Sequence, residues 1–265
     1  MKTLVEIKNL NFEYSNNGFR LSDVNLEIFE KDFLSVTGRN GSGKSTLIKC
    51  LAGIFHHYSG EILHNNNNIL QIKRKELAKS FSYLPQFAIN ETYDIKVSEF
   101  LLLGRYAYKN NFEYTYNNID RRIVDEVLKL TNFEHYRDKL VSQLSGGEKQ
   151  KCLLGLALVQ LDVTSDLSGK VLIIDEPVTF LDIHHQKEIF EILKFLNACK
   201  GLTIVNVIHD LNLALKYSNR VLVMDNGKIA AAGKPRDILN EINLLKFFLT
   251  EAKLINIQNN NHIIL

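Results

Sequence analysis

The sequence predicts an α/β fold with a mainly parallel sheet, an N-terminal antiparallel β subdomain and an inserted helical subdomain. The apolar runs of "KVLIIDEP" at 170–177 and "LTIVNVIHD" at 202–210 are typical of strands buried on both faces of a parallel sheet. The first 38 residues alternate apolar and polar side chains, as half-buried strands do. Residues 87 to about 161 instead carry apolar side chains at helical spacing.

The chain begins with predicted strands that lead into a glycine-rich loop. "TLVEIKNLNFEY" and "SDVNLEIFEKDFLSVTG" are predicted strand segments, and the second ends at Gly38. "TLIKCLAGIF" then continues as a helix. "GEILHNNNNIL" predicts a hairpin whose turn is built from asparagines, which accept the left-handed backbone of tight turns. The alternative for these asparagines, a low-complexity interaction segment, is disfavoured by so short a run.

Helical periodicity governs the middle of the chain, and strand patterns return after it. "VSEFLLLG" is one candidate helix, and an apolar repeat marks a second at Ile119, Ile123, Val127 and Leu130. A third is marked by Ile189, Ile192, Leu193 and Leu196. Asn226-Gly227 lies between two apolar runs and predicts a tight hairpin. The C-terminal tail is predicted to be a helix, and the structure of its end is left open.

Composition and charge restrict the function classes. The 265 residues are 45% hydrophobic, which suffices for a sizeable core. The net charge of +2, from 32 basic and 30 acidic residues, gives no general attraction to nucleic acid, so no nucleic-acid partner is expected. The N-terminus lacks the apolar core of a signal peptide, and no apolar run reaches the roughly 18 residues of a spanning helix. We therefore expect any membrane role to depend on a partner.

The cysteines indicate a reducing compartment. Cys50, Cys152 and Cys199 are widely separated and show no paired spacing for a metal ion or a disulfide. We expect all three to be buried, small apolar residues.

The segment "GRNGSGKST" matches the template of a phosphate-binding loop. Its glycines let backbone N–H groups turn toward the α- and β-phosphates of a nucleotide, and the following helix presents its positive end to them. Lys44 is expected to reach the β- and γ-phosphates, and the Ser45 hydroxyl to bind Mg²⁺. An ordinary glycine-rich turn is the alternative, which the complete motif between a strand and a helix disfavours. The predicted nucleotide-binding residues here are Gly38, Arg39, Asn40, Gly41, Ser42, Gly43, Lys44, Ser45 and Thr46.

Two carboxylates follow the predicted strand in "VLIIDEP". Asp175 is expected to hold Mg²⁺ directly or through water, and Glu176 to polarise the attacking water. By itself such a pair is more typical of a solvated strand end. Together with the phosphate loop it predicts a nucleoside triphosphatase.

A second glycine-containing segment, "LSGGEKQ" at Leu144–Gln150, opens an apolar helix. Ser145 and Glu148 have the spacing of a capping box, in which the serine caps N–H groups and the glutamate reaches back. The box does not explain Gly146 and Gly147, since glycine costs roughly 1 kcal/mol relative to alanine inside a helix. Bare backbone at a helix N-terminus lets a phosphate approach closely. We therefore predict a second phosphate-binding surface at Ser145, Gly146, Gly147 and Glu148.

Three segments in this order, Gly38–Thr46, Leu144–Gln150 and Val171–Pro177, resemble the ATP-binding subunit of ABC transporters, and the resemblance covers nearly the whole chain. It implies ATP and Mg²⁺ as cofactors and a second copy of the chain that faces the first head to tail. In such a dimer each "LSGGEKQ" segment binds the γ-phosphate of the ATP held by the other subunit. The second phosphate surface would then serve the partner's nucleotide.

The same resemblance implies roles for four further residues. Tyr14 would stack on adenine, where the alternative is a core or edge-strand tyrosine. Gln86 would sense Mg²⁺ and the γ-phosphate and couple the site to a membrane partner, although a lone glutamine is ordinarily a surface residue. His209 would contact the γ-phosphate and help to position the water, rather than serve a structural role at a strand end. Asp182 would communicate across the dimer, although the two residues after Pro177 depart from the family's usual Thr-Ser.

The implied organisation is one ABC ATPase domain with an inserted part. We expect the P-loop ATPase core, with the β subdomain, at 1–86 and 162–265, and the helical subdomain at 87–161. The resemblance also implies membrane permease subunits as partners, a substrate-binding protein as an indirect partner, and a peripheral location on the cytoplasmic face of the inner membrane. It leaves open whether the second ATPase subunit is identical or related.

Short segments indicate a subgroup of the family. "GRYAY" at Gly104–Tyr108 and "LDIHHQ" at Leu181–Gln186 resemble importers of iron-siderophores, haem and cobalamin. The polar segment "LDVTSDLSGK" at 161–170 is similar to haem-importer members. Binding proteins and permeases select the cargo, so this chain leaves its identity open.

The main alternative is a non-transport ABC ATPase that acts on nucleic acid or ribosomes. DNA-repair and chromosome members need a long coiled coil between the two phosphate surfaces, and 46–144 has neither the length nor the heptads. The translation-factor type usually carries two cassettes, and this chain has one. An ATP-binding regulator without transport and an importer of another substrate class stay open.

Overall fold

The computed structural model describes residues 2–15, 18, 20–86, 94–109, 115–176, 182–257 and 260–264. The chain forms two compact units, one of Met1–Ile72 with Ile204–Leu265 and the other of Lys73–Thr203. Among the helices of the described residues, none combines the length and the apolar character that a membrane crossing requires.

The helices are α1 (Lys44–Leu51), α2 (Arg74–Ser80), α3 (Val97–Leu102), α4 (Asn118–Leu130), α5 (Gly146–Leu161), α6 (Ile183–Lys200), α7 (Leu211–Tyr217), α8 (Pro235–Ile238) and α9 (Glu241–Phe248). The strands are β1 (Thr3–Glu13), β2 (Arg20–Phe29), β3 (Phe33–Thr37), β4 (Ser59–His64), β5 (Asn67–Asn68), β6 (Phe81–Leu84), β7 (Val171–Asp175), β8 (Thr203–Val207), β9 (Arg220–Asp225), β10 (Lys228–Gly233), β11 (Lys253–Ile257) and β12 (Asn260–Ile264). Short 3-10 helices lie at Leu103–Tyr108, Glu134–Tyr136 and Val141–Gln143.

The N-terminal strands of the first unit form an antiparallel sheet in the order β2-β1-β4-β5. In it Ile7 of β1 lies opposite Ile62 of β4, and both side chains are buried. Asn65 and Asn66 connect β4 to β5 with positive φ angles of 48° and 64°. The predicted antiparallel β subdomain and its asparagine turn are therefore confirmed.

Parallel strands of the first unit lead to the phosphate loop. β3 pairs in parallel with β8 and with β9, and every residue of β3 and β8 is buried. Burial on both faces explains the continuous apolar pattern and confirms a mainly parallel arrangement. β10 adds antiparallel to β9 through a turn in which Asn226 and Gly227 have φ angles of 46° and 75°, as the Asn-Gly pair predicted.

The C-terminal part of the first unit ends in an antiparallel hairpin of β11 and β12, a segment whose structure the sequence left open. Asn212 of α7 holds this hairpin. Its amide donates to the carbonyl of Ile263 at 3.1 Å and accepts from the Ile263 N–H at 2.8 Å. The Ile263 side chain is buried as well, so one apolar residue and one amide dock the strand.

The second unit combines helices α2 to α6 with β6 and β7, which pair in parallel. Helix α4 was predicted from its apolar repeat, and Ile123 and Val127 are buried as expected, whereas Ile119 in the first turn is 68% exposed. The described part of 87–161 is mainly helical. The limits of a helical subdomain stay a prediction, because the compact unit also contains β6, β7 and α6.

Two of the three cysteines have the predicted environment. Cys50 and Cys152 are buried free thiols, and burial raises the pKa of each to about 12. Cys199 is exposed, so the prediction that it is buried is wrong. It lies near the end of α6, off the stripe on which Ile189 and Leu193 are buried.

Candidate functional site

The phosphate loop takes the backbone path that its glycines predict. Gly38, Gly41 and Gly43 have φ angles of 140°, 78° and 105°, which non-glycine residues rarely adopt. At Gly38 a Cβ would lie 2.2 Å from the backbone oxygen of Met224, so no other residue fits without a shift. The loop then enters α1 at Lys44, which points the N-terminus of α1 at the loop.

Two polar side chains of the loop match an anion site. The Lys44 ammonium is buried and donates to the carbonyls of Gly38 at 2.9 Å and Arg39 at 3.1 Å. Ser42 is also buried, and its hydroxyl oxygen finds no hydrogen-bond partner among the described residues. A buried polar atom without a partner is costly, and a phosphate oxygen would satisfy it. The loop of this chain therefore fits a bound nucleotide phosphate.

Tyr14 lies against the beginning of α1 within an aromatic cluster. Its hydroxyl is 3.3 Å from Thr46 Oγ1, so the structure brings the predicted adenine-stacking residue to the phosphate loop. Phe12 and Phe55 meet Tyr14 edge-on, with ring centroids 4.9 and 5.7 Å away, and stack on each other at 4.9 Å. Neither phenylalanine was predicted from the sequence, although Phe12 lies two residues before Tyr14, a spacing that was a signal for the first.

His209 shares a cleft with the phosphate loop. The cleft measures about 380 Å³, and its lining consists of Thr37, Gly38, Arg39, Asn40, His209 and Phe248. The predicted switch histidine and the first residues of the loop are thus brought together in the first unit. Phe248, the last residue of α9, was missed because nothing in its local sequence connects it to the loop.

In the second unit the paired carboxylates end a buried strand. Asp175 is the last residue of β7 and is 3% exposed. The Tyr83 hydroxyl donates to Asp175 Oδ2 at 3.2 Å. Burial raises the pKa of Tyr83, and the Asp175 charge raises it further, so the phenol stays a proton donor. A nearly buried carboxylate of this kind is a favourable ligand for a hard cation such as Mg²⁺.

Glu176 contacts the predicted sensor glutamine. The Gln86 amide donates from Nε2 to Glu176 Oε2 at 2.5 Å, although 90 residues separate them in sequence. Glu176 has a φ of 52°, a left-handed conformation that is uncommon for a glutamate. The structure therefore brings together two residues that were predicted for different roles around the γ-phosphate. Tyr83 and the Gln86–Glu176 contact could not be found from sequence spacing.

The segment "LSGGEKQ" begins α5 as predicted, with Ser145 as N-cap. The Ser145 hydroxyl accepts the Glu148 N–H at 3.4 Å, and the Ser145 N–H donates to Glu148 Oε2 at 2.7 Å. A Cβ on Gly146 would meet no described atom within 4 Å. Packing within the described chain therefore does not require glycine there.

Asp182 forms the N-cap of α6. Its carboxylate accepts the His185 N–H at 2.9 Å and lies 2.8 Å from His185 Nδ1. The hydrogen bond from the His185 backbone lowers the pKa of Asp182 most, and that from its ring adds to it. Pro177, Val178 and the rest of 177–181 lie outside the described residues, so the predicted contact of "TFLD" across a dimer is not described.

The arginine of "GRYAY" has a structural role. Arg105 is buried, donates from Nε to Asp120 Oδ1 at 2.9 Å, and stacks on Tyr108 at 3.6 Å from the ring centroid. Leu103 and Tyr106 of the same 3-10 helix are 49% and 66% exposed. The arginine therefore anchors this turn, and the neighbouring exposed residues are the ones available to a partner.

The chain is similar in sequence to ATP-binding proteins of import systems. The family model described as ABC transporter matches residues 21–179. The petrobactin import ATP-binding protein FpuC of Bacillus anthracis is 38% identical over 221 residues, which cover 83% of this chain and 78% of that protein. The iron(3+)-hydroxamate import ATP-binding protein FhuC of Bacillus subtilis is 31% identical and covers 89% of this chain and 84% of that protein.

Solved structures agree with this grouping. A chain of an inward-facing ABC transporter, described as of the metal-chelate type, has a TM-score of 0.82 and 25% identity, and the match covers 99% of this chain and 96% of that chain. The ATP-binding cassette MJ0796, solved as a dimer in a post-hydrolysis state with ADP and phosphate, has a TM-score of 0.72 and 26% identity, with coverage of 88% and 99%.

Proposed function

Because the chain belongs to the ABC transporter family and is an ATPase of that family, we propose that it powers the import of an iron chelate through membrane permease subunits. The observation that carries this proposal is the sequence similarity of the chain to iron-chelate import proteins. FpuC, FhuC and the ferric enterobactin transport protein FepC of Escherichia coli, which is 33% identical over 217 residues, are all ATP-binding proteins for iron-chelate uptake.

In the proposed reaction the first unit binds the nucleotide. The loop N–H groups and the Ser42 hydroxyl hold the phosphates, Lys44 neutralises their charge, and Tyr14 stacks on adenine. Lys44 already lies buried across the loop, so it needs little ordering when a phosphate binds. His209, at the edge of the same cleft, would contact the terminal phosphate.

The second unit supplies the groups for hydrolysis. Asp175 and Gln86 would bind Mg²⁺, which neutralises charge on the transferred phosphoryl group. Glu176 would orient and deprotonate the attacking water. In the present structure the Glu176 carboxylate accepts a hydrogen bond from Gln86. Release of that bond would make the carboxylate available as a base.

We further propose that two copies pair head to tail. Ser145, Gly146 and Gly147 of one subunit would then bind the γ-phosphate held by the other, with Asp182 near the contact between them. Gly146 is exposed, and nothing lies within 4 Å of a Cβ built on it, which supports this arrangement. Leu103 and Tyr106, exposed on the turn that Arg105 anchors, are proposed to face the permease. The chain would therefore lie peripherally on the cytoplasmic face of the inner membrane, and a substrate-binding protein would act indirectly.

A siderophore is favoured over haem as the cargo. The polar segment 161–170 had suggested haem, but its polarity has a local explanation. The Lys170 ammonium donates to the Leu161 carbonyl at 2.5 Å and the Ser165 hydroxyl at 2.9 Å. Asp162 ends α5 in a left-handed conformation with φ 56°. The segment thus closes a turn, and its length needs no cargo-related reason.

Uptake by a disrupted strain tests the proposal. The gene is deleted, and the strain is complemented with the wild type or with Lys44→Ala. Three uptake measurements are made in parallel: radiolabelled iron supplied as a siderophore complex, radiolabelled iron supplied as haem, and radiolabelled cobalamin. We expect loss of siderophore-iron uptake that only the wild type restores. Normal uptake of all three cargoes, with loss of uptake of a sugar, amino acid or metal ion, would contradict iron-chelate import and leave the ATPase assignment intact.

A further inference from the structure

A carboxylate lies where the proposed function places a phosphate. Glu148 is the third residue of α5, within one turn of the glycines proposed to bind the partner's γ-phosphate. A carboxylate near a helix N-terminus is stabilised by the helix dipole, but it repels a second anion at short range. Glu148 can therefore accompany a bound phosphate only if its side chain is held in a fixed direction.

Both oxygens of Glu148 are held by hydrogen bonds. Oε2 accepts the Ser145 N–H at 2.7 Å, and Oε1 accepts the hydroxyl of Tyr136. Burial opposes ionisation of Glu148, but the hydrogen bonds from Tyr136 and Ser145 prevail and lower its pKa. The hydrogen bond to Glu148 is the largest cause that raises the pKa of Tyr136. At neutral pH the pair is thus a carboxylate with a phenol donor.

The Tyr136 ring is fixed by its own neighbours. It stacks on Phe133 with centroids 4.3 Å apart and 26° between the planes, and Phe133 is 2% exposed. The Lys139 ammonium lies 5.0 Å from the centroid of the same ring. The Tyr136 carbonyl also accepts the Lys139 N–H at 3.0 Å. The hydroxyl therefore projects from a packed ring rather than from a mobile one.

We propose that Tyr136 is a positioning residue for the second phosphate surface. Its hydroxyl holds the Glu148 carboxylate beside the Ser145 N–H, so that the N–H groups of Gly146 and Gly147 stay open to the γ-phosphate of the other subunit. Glu148 itself then orders this surface and does not contact the phosphate. The inference rests on the proposed head-to-tail dimer. It adds Tyr136, which lies 12 positions before Glu148 in the sequence, to the second phosphate surface.

A double-mutant cycle on the assembled transporter tests this role. Tyr136→Phe, Glu148→Ala and the double variant are reconstituted with the permease subunits in liposomes, and kcat and KM for ATP hydrolysis are measured. Tyr116→Phe, which removes a hydroxyl elsewhere in the same unit, is the matched control. Thermal unfolding and ATP binding of each isolated subunit verify that the fold and the phosphate loop are intact.

We expect Tyr136→Phe to lower kcat about threefold to tenfold, with ATP binding by the isolated subunit unchanged and Tyr116→Phe without effect. In the Glu148→Ala background the same change should have less than about a twofold effect, because its target is gone.

The outcomes separate this inference from the proposed function. Equal losses from Tyr136→Phe in the wild-type and Glu148→Ala backgrounds, or no loss in the wild type, would overturn the positioning role while the transporter remained active. A loss of ATP binding by the isolated Tyr136→Phe subunit would show a general structural effect and would also overturn it. A wild-type assembly without permease-dependent ATP hydrolysis would overturn the proposed function and this inference with it.

Discussion

The phosphate loop and the start of α5 both contain glycines at the N-terminus of a helix, but the fold requires them to different degrees. Gly38 has a φ of 140°, and a Cβ there would lie 2.2 Å from the Met224 carbonyl oxygen. A Cβ on Gly146 would meet no described atom within 4 Å. The fold alone therefore explains Gly38, whereas the packing of the described residues gives no reason for glycine at position 146.

The two segments also differ in the charge of the side chain that lies at their glycines. The loop folds the cationic Lys44 across its own carbonyls, so it is preorganised for an anion within one subunit. The start of α5 carries the anionic Glu148, held by Ser145 and Tyr136. Two similar glycine motifs can thus be distinguished by the sign of the charged side chain that lies at each of them. The loop places a cation at its glycines, whereas the start of α5 places a carboxylate one residue after Gly147.

The largest effect is expected at the phosphate loop. Lys44→Ala should abolish transport and most ATP binding, because it removes the charge that neutralises the β- and γ-phosphates. Nucleotide binding is measured by calorimetry on the isolated subunit, with circular dichroism as the check on folding. Since Lys49 is a lysine of the same helix that is not part of the proposed site, Lys49→Ala serves as the control. Unchanged ATP affinity in Lys44→Ala would contradict the assignment of the loop.

The next effect separates hydrolysis from binding. Glu176→Gln should bind ATP with Mg²⁺ but hydrolyse it roughly 10²–10⁴-fold more slowly, because it lacks the general base and keeps the shape. The variant should also accumulate as an ATP-bound dimer, which gel filtration with light scattering detects. Hydrolysis at the wild-type rate would refute the role of Glu176. A strict monomer at high concentration with ATP would argue against the head-to-tail dimer.

A substitution at the second segment isolates the trans-acting surface. Ser145→Arg should leave ATP binding by the isolated subunit nearly unchanged, since its own phosphate loop is intact, yet prevent hydrolysis in the assembled transporter. Ser168→Arg places the same bulk at another exposed serine of the second unit and should hydrolyse normally. Wild-type hydrolysis by the Ser145→Arg assembly would break the comparison, because the start of α5 would then have no role in the reaction.

The smallest effects concern stability and test the comparison directly. Gly38→Ala should destabilise the fold by roughly 1–3 kcal/mol, since alanine is strained at this φ and its Cβ meets a backbone oxygen. Gly146→Ala should be neutral or stabilise α5 by up to roughly 0.5–1 kcal/mol. Urea unfolding of the two isolated variants measures both changes. Equal destabilisation would show that the fold requires the two glycines alike.

The sequence by itself determined the features that depend on residues close together in the chain. The Asn226-Gly227 turn, the capping box of Ser145 and Glu148, and the strand character of the apolar runs all follow from local backbone preferences and side-chain patterns. The phosphate loop belongs to the same class, because its positive φ angles occur at glycines whose positions are visible in the sequence.

Only the tertiary structure decided which distant side chains meet. Tyr83 reaches Asp175 across 92 residues and Gln86 reaches Glu176 across 90, while Phe248 joins His209 at the cleft. The exposure of Cys199 was settled in the same way. A periodic pattern specifies which face of an element is buried, but not which neighbour covers that face. That choice belongs to the packing of whole elements, because it depends on the shape and burial of all their side chains together.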